Sequence, residues 1–355
     1  MRVATVLGNR PQFVKAAAVS PLLRERHEEL LIHTGQHHDA RLSAVFFEEL
    51  GLPAPDYSLE ISGGSNSSQL GRMVVALAPL LADLAPDVVL LYGDTNSTLA
   101  GALAAADLGT AVAHVEAGMR AFDRSLAEER NRVLTDQLSQ LLLCSTGSAA
   151  QQLAREGAPG RAVVVGDVMV DVAHATRECA LARTQTLARF GVQAGRYVLV
   201  TAHRAANVDD PVALERLVAL LEAVGGNLLM PLHPRTRERL QRHGLYARAA
   251  KAASLTEPLG YLDFAALLCQ ASAVLTDSGG VQKEAYLAGV RCVTLRESTE
   301  WTETVEAGWN TLVGLDAAAA LAALGRPAPA LRPPLWGDGH AGAAVVAALE
   351  DYAAA

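Results

Sequence analysis

Two α/β domains, each built on a parallel sheet covered by helices, are what this 355-residue sequence predicts. Three observations carry the expectation. The chain is longer than one hydrophobic core usually grows, and about 150 residues per domain sets the scale. Short β-branched runs, apolar throughout rather than alternating, recur between Ala- and Leu-rich helical stretches. That is the pattern of strands buried on both faces. The series pauses over 168–195 and then starts again.

The elements follow in order. VATVL (3–7) runs into Gly8-Asn9-Arg10-Pro11 and a helix beginning QFVKAAA, with proline suited to the first helical position. LLIH (30–33) ends at TGQHHD, and VVLLYGD (88–94) enters NSTLAGALAAADLG. AVAHVEAG (111–118), LLLCST (141–146) and AVVVGD (162–167) complete the first series. The pause holds one helical stretch and no clear strand. RYVLVTAHR (196–204) opens the second series, which continues through LLMPLHP (228–234), AVLTDSGG (273–280) and CVTL (292–295). A proline-rich stretch over 326–339 closes it before a last helix, HAGAAVVAALEDYA. The expected domains are 1–170 and 171–337. No repeat of 20–50 residues is present.

Composition excludes several classes. Thirty basic residues against thirty-eight acidic ones give a net charge of −8, which is wrong for a general nucleic-acid binder. No run of about 20 apolar residues is free of charge or proline, so no membrane span is expected. The first residues read as a strand rather than a signal peptide, and a cytoplasmic location follows. Cys144, Cys179, Cys269 and Cys292 lie far apart and form no CxxC pair, which predicts buried free thiols. Histidine spacing offers no HExxH, so no protein-bound metal is expected.

In such sheets ligands sit outside the carboxyl ends of the strands. The polar clusters GNRP, TGQHHD, GDTNS, HVEAG, TAHRAAN, PLHPR, TDSGG and LRESTEW all fall there, and together they predict one interdomain cleft. Ser278-Gly279-Gly280 lies between a strand and a helix. Such a turn can bring a phosphate to backbone N–H groups, or it can be an ordinary turn with a capping serine. Glu284, one helical turn further, could accept bonds from a ribose diol. Arg10 and Lys15 suit a diphosphate, or are surface charges. His203 ends a strand, where a lone histidine is more often a structural group. The segment after Asp94 reads as a helix cap. Glu116 follows a buried strand, and a desolvated carboxylate suits general acid or base work. Glu128 and Glu129 open a helix, where acids complement its dipole.

Taken together, these stretches resemble the non-hydrolysing UDP-N-acetylglucosamine 2-epimerases. The matching blocks run in order from residue 8 to about 341. They include GNRPQFVKAAAVSPL, HTGQHHD, YGDTNSTLAGALAA, HVEAGMRAFDRSLAEERNRVLTD, TAHRAANVDDP, LTDSGGVQKEA and RESTEWTETVEAGWNTLVG. The resemblance implies a GT-B-type architecture of two Rossmann-like domains, with the C-terminal helix 338–355 joining the first. It implies that Asp94, Glu116 and Glu128 are acids near the sugar, with Arg132 supporting them. By the same resemblance His203 and the basic Arg10 and Lys15 face the diphosphate, and Ser278, Gly279 and Gly280 hold phosphate. Glu284 would bind ribose, Phe264 would pack near the uracil, and Arg296 would reach the sugar-phosphate. Gln36, His37 and Gln69 fall in the region where bacterial members bind a second UDP-N-acetylglucosamine as activator. A homodimer is the family expectation.

The implied chemistry is inversion at C2 with no cofactor; the loop after the first strand is not GxGxxG, so a bound NAD is not expected. Eliminating UDP leaves a 2-acetamidoglucal, and re-addition with a proton from the other face gives the epimer. Carboxylates must serve both faces of C2, and cations and N–H groups must stabilise the departing diphosphate. The opening block and the TEW block also resemble C2 epimerases of UDP-2,3-diacetamido-2,3-dideoxyglucuronate, the second substrate expectation. A GT-B glycosyltransferase could share the SGG turn and Glu284 but would have no need for acids at C2.

Overall fold

The computed structural model describes residues 1–36, 47 and 49–354. The chain forms two compact units, Met1–His174 with Trp336–Ala355, and Ala175–Leu335.

Among the described residues the first unit holds seven parallel strands: β1 (Arg2–Leu7), β2 (Glu28–His33), β3 (Tyr57–Ser58), β4 (Val88–Tyr92), β5 (Ala111–Ala117), β6 (Leu141–Cys144) and β7 (Arg161–Val164). Their order across the sheet is β3-β2-β1-β4-β5-β6-β7. Every residue of β4 is buried, because helices cover both faces. The helix Asn96–Asp107 lies so close that a Cβ at Gly101 would meet the Leu91 side chain. Helix Ala341–Ala353 belongs to this unit. The Asp171 carboxylate receives its first amides, Ala341 N at 3.1 Å and Gly342 N at 2.8 Å.

The second unit holds β8 (Val198–Thr201), β9 (Leu228–Pro231), β10 (Ser254–Thr256), β11 (Ala273–Thr276), β12 (Cys292–Thr294) and β13 (Asn310–Leu312), all parallel, in the order β10-β9-β8-β11-β12-β13. Alternate strand residues serve opposite faces. Leu199, Val274 and Cys292 pack with Leu267 and Phe264, whereas Val200, Leu275 and Val293 pack with Leu217 and Leu221. Leu275 is fully buried, so Leu275→Ala is expected to cost about 2–5 kcal/mol, read as a lowered urea midpoint.

Both sheets reverse strand order once, between β1 and β4 and between β8 and β11. Ligands of open α/β sheets bind beyond the carboxyl ends at such points. The residues that follow these four strands are GNRP, GDT, AHR and DSGG.

Two expectations are corrected. The stretch 168–195 holds two helices, Val168–Ala182 and Thr184–Arg189, interrupted at Arg183, whose ψ of 54° is not helical. Of the four thiols, which are all free, only Cys144 and Cys292 are buried; Cys269 is half-buried and Cys179 exposed. Desolvation pushes the thiols of Cys144 and Cys292 up to about 12, so both are unreactive. Among the described residues no helix is long and apolar enough to cross a membrane.

Candidate active site

Glu116 owes its position to a defect in β5. The pairing of β5 with β6 slips between Val115 and Ala117, so Glu116 is the extra residue of a bulge. Its φ of 73° lies in the left-handed region, which disfavours a side chain of this size. Bulges and strained residues of this kind gather at functional sites, where they re-aim a side chain. Here the carboxylate is turned onto the Lys15 ammonium, and both side chains are largely buried. Lys15 comes from helix Arg10–Ala16, which follows β1. The sequence placed Lys15 toward phosphate; the structure gives it a carboxylate partner.

Asp94 follows β4, the neighbour of β5. It is not the cap of helix Asn96–Asp107. Thr95 takes that role, in a capping box with Thr98. The Asp94 carboxylate is therefore available to Arg132, with which it forms an ion pair. Arg132 also reaches Glu129 at 3.3 Å. Burial disfavours the Arg132 charge, but Asp94 and then Glu129 and Glu116 outweigh it and raise its pKa. The two acids thus stand at adjacent strand ends, each held by a cation.

Glu128 and Glu129 share the first turn of helix Ala127–Leu138 and part company there. Glu129 is buried and accepts the amides of Ala121 at 2.8 Å and Phe122 at 2.9 Å. It pins the loop that leads from Glu116 back to the helix. Glu128 is exposed.

In the second unit, the two glycines of the SGG turn have different reasons to be glycine. Neither has a positive φ. A Cβ on Gly279 would collide with Glu300 Oε1, whereas one on Gly280 would meet only Ser278 Oγ, at an ordinary 4.0 Å. Ser278 caps helix Gly279–Ala288, its Oγ accepting from Val281 N at 3.5 Å. The capping reading of this serine is thus observed, and it coexists with an open helix N-terminus. Trp301 donates from Nε1 to the Gly279 carbonyl at 2.9 Å, and the buried Lys283 ammonium lies 4.2 Å from its ring centre. Glu300 pairs with Arg296 at 2.8 Å and with Arg204 at 3.9 Å. Burial pushes the Glu300 carboxyl up, but the two arginines outweigh it and hold it below its ordinary value. Glu284 sits half-buried one turn into the same helix.

His203 follows β8, and its ring stacks on His233 with centroids 5.2 Å apart. Asp277, fully buried after β11, orients it. Its carboxylate accepts from His203 N at 3.0 Å, Arg204 N at 3.0 Å and Asn207 Nδ2 at 3.0 Å. Its Oδ1 lies 3.7 Å from His203 Nδ1. The sequence reading did not single out Asp277, although an acid between an apolar strand and a capping serine was a signal.

A family model described as UDP-N-acetylglucosamine 2-epimerase matches residues 22–350. The chain belongs to that family. It is 45% identical over 322 residues to the Pseudomonas aeruginosa UDP-2,3-diacetamido-2,3-dideoxy-D-glucuronate 2-epimerase, covering 88% of each chain. Identity to the Methanocaldococcus jannaschii UDP-N-acetylglucosamine 2-epimerase is 41% over 324 residues, again 88% of each. The crystal structure of the Methanocaldococcus jannaschii enzyme in complex with UDP-GlcNAc and UDP matches with a TM-score of 0.91 and 38% identity, covering 99% of this chain and 100% of that one. The fold class is accordingly the GT-B type, two parallel-sheet α/β units.

In this epimerase-family chain three of the implied site residues have work within the fold. Phe264 is a core residue, packed with Leu187, Tyr197 and Leu199. Gln36 accepts from Ser97 N at 3.0 Å and Ser97 Oγ at 2.7 Å, which anchors the start of helix Asn96–Asp107. Gln69 accepts from Asn96 Nδ2 at 2.9 Å and donates to the Gln36 carbonyl at 3.3 Å. Both glutamines therefore have structural work in the absence of an activator. His37 lies outside the described residues, as does His38. Among the described residues no group of three or more His, Cys, Asp or Glu could hold a metal ion.

Proposed function

We propose that this chain interconverts UDP-N-acetylglucosamine and UDP-N-acetylmannosamine, without hydrolysis, by elimination and re-addition of UDP. The observation that carries the reading is the arrangement of Asp94 and Glu116. They are two carboxylates on adjacent strand ends, one re-aimed by a bulge and each tethered to a cation. A glycosyltransferase needs no such pair, whereas inversion at C2 needs proton transfer on both faces.

In this reading the C1–O bond to the β-phosphate breaks, and its electron pair leaves with UDP. The charge developing at C1 acidifies the C2 hydrogen, which a carboxylate removes to give the 2-acetamidoglucal. Glu116, Asp94 and Glu128 are the candidate acids and bases. Arg132 holds Asp94 in place. Arg10, His203, Arg296 and the amides at Ser278, Gly279 and Gly280 would stabilise the diphosphate. Glu284 would hold the ribose. Re-addition of UDP with a proton delivered to the opposite face of C2 completes the turnover, and no cofactor enters the balance. The chain would work in the cytoplasm, as a homodimer, with a second UDP-N-acetylglucosamine as activator.

The 45% identity to the Pseudomonas aeruginosa diacetamido-glucuronate epimerase favours UDP-2,3-diacetamido-2,3-dideoxyglucuronate as a second substrate. One NMR experiment separates the readings. Each UDP-sugar is incubated with the protein in D2O, and the C2 proton is followed. Loss of that signal with appearance of the epimer is the expected result, and the sugar that exchanges faster is the substrate. No deuterium at C2 in either sugar would sink the epimerase reading. Stoichiometric release of free N-acetylmannosamine with UDP would identify a hydrolysing enzyme instead.

A further inference from the structure

His114 is fully buried in the middle of the first unit's sheet, two residues before Glu116. Its Nδ1 lies 2.7 Å from Asp136 Oδ1, and its Nε2 lies 2.6 Å from the Gly93 carbonyl oxygen. A carbonyl only accepts, so Nε2 carries a proton. Burial pushes the Asp136 carboxyl up, yet His114 and Arg120 outweigh it and hold the group below its ordinary value, so it is a carboxylate. Nδ1 therefore donates as well.

The second Asp136 oxygen accepts from Gly118 N at 3.2 Å and pairs with Arg120 Nη1 at 2.8 Å. Arg120 in turn grips Glu156, Nε to Oε1, at 2.8 Å. Arg120 thus joins the buried His114–Asp136 pair to the half-buried Glu156. Its backbone attachments are specific. Gly93 immediately precedes Asp94, and Gly118 is two residues after Glu116. Both glycines have positive φ, 64° and 80°. Gly93 N donates to the Val115 carbonyl at 3.0 Å, which ties the two turns to each other.

Resting on the epimerase reading, we propose that His114 and Asp136 are positioning residues for the reaction: they lock the two glycine turns that set the direction of Asp94 and of the bulged Glu116. The energetics argue against a merely structural pair. Burying charges costs several kcal/mol per ion, and a well-packed apolar replacement is often neutral or stabilising. An apolar pair at 114 and 136 could fill the space but could not fix a carbonyl on one turn and an amide on the other. Left-handed Glu116 needs such over-determination, because strain at a single residue persists only when its surroundings enforce it.

The first arm of the test uses the unliganded wild-type protein, with histidines labelled with 15N in the ring. The His114 signal, assigned by its change in Asp136→Asn, is expected to show two protonated nitrogens. A ring with one bare nitrogen overturns the proposal. The second arm uses His114→Gln and Asp136→Asn with whichever UDP-sugar the wild type epimerises. Each variant is expected to lose about 10²-fold in kcat, the scale of a displaced catalytic group, with UDP affinity within about twofold of wild type. Unchanged kcat, or a loss confined to UDP affinity, overturns it. Should the wild type exchange neither sugar, the epimerase reading fails by itself. The geometric claim is then decided by amide hydrogen exchange: faster exchange at Gly93 and Gly118 in Asp136→Asn supports it, and unchanged protection overturns it.

Discussion

Glu116→Gln is expected to cut exchange at C2 by about 10²–10⁴-fold, the range for loss of a general acid or base, while UDP binding stays within about twofold. The amide is nearly isosteric, so the bulge survives. Its backbone is held by Gly93, Gly118 and the β5–β6 register rather than by the carboxylate. What the variant lacks is a group that can take and return a proton, and an anion for Lys15. The two losses have different signatures. If proton transfer matters, kcat falls and calorimetric titration with UDP is unchanged. If Glu116 serves only to place Lys15, UDP affinity changes and the exchange rate at saturation does not. Wild-type exchange would remove Glu116 from the mechanism altogether.

The fold was legible where burial is complete. β4, β6, β8 and β11 read as apolar runs because helices cover both sheet faces and polar residues stand only at the ends; β5 reads the same way apart from His114 and Glu116. The short edges were not legible. β3, β10 and β13 have two or three residues each and are half-exposed or more at most positions, so they carry no pattern that separates them from loops.

The site was legible in residue type but not in partnership. Glu116 stood out as an acid in an apolar context, yet nothing in the sequence announces a bulge or a left-handed φ, since glutamate is not a turn residue. Glu129 and Asp136 looked like ordinary charges of a polar helix. Both are buried, because that helix turns Glu129, Asn131, Thr135 and Asp136 inward, and a buried polar face leaves no apolar period to detect. The signal available was indirect. His114, Arg120 and Asp136 bracket the bulge at distances that only the closed sheet makes short. Likewise Gly279 looked like a phosphate-loop glycine, and its steric reason, the carboxylate of Glu300, lies twenty-one residues away.

The same reasoning makes Asp277→Asn the change in the second unit expected to disturb the His203 turn. The carboxylate of Asp277 faces only donors: the amides of His203 and Arg204 and the side chain of Asn207. All three accept on Oδ2, so an asparagine can keep them on its one oxygen, but it carries no charge and turns an N–H group toward the His203 amide in place of Oδ1. Removing the charge from these hydrogen bonds and leaving a buried donor unmatched costs about 1–3 kcal/mol. The urea midpoint of the second unit is expected to fall accordingly. Pushed by the unmatched N–H group, the turn carrying His203 shifts just beyond the paired ends of β8 and β11, beside the helix that Ser278 caps. A displacement of about 1 Å there is expected to slow exchange at C2 by about 10²-fold. Measured below the unfolding transition, lost stability with full exchange activity would show that the place of His203 does not matter to the chemistry. Loss of both assigns Asp277 the work of holding the histidine where the leaving diphosphate needs it.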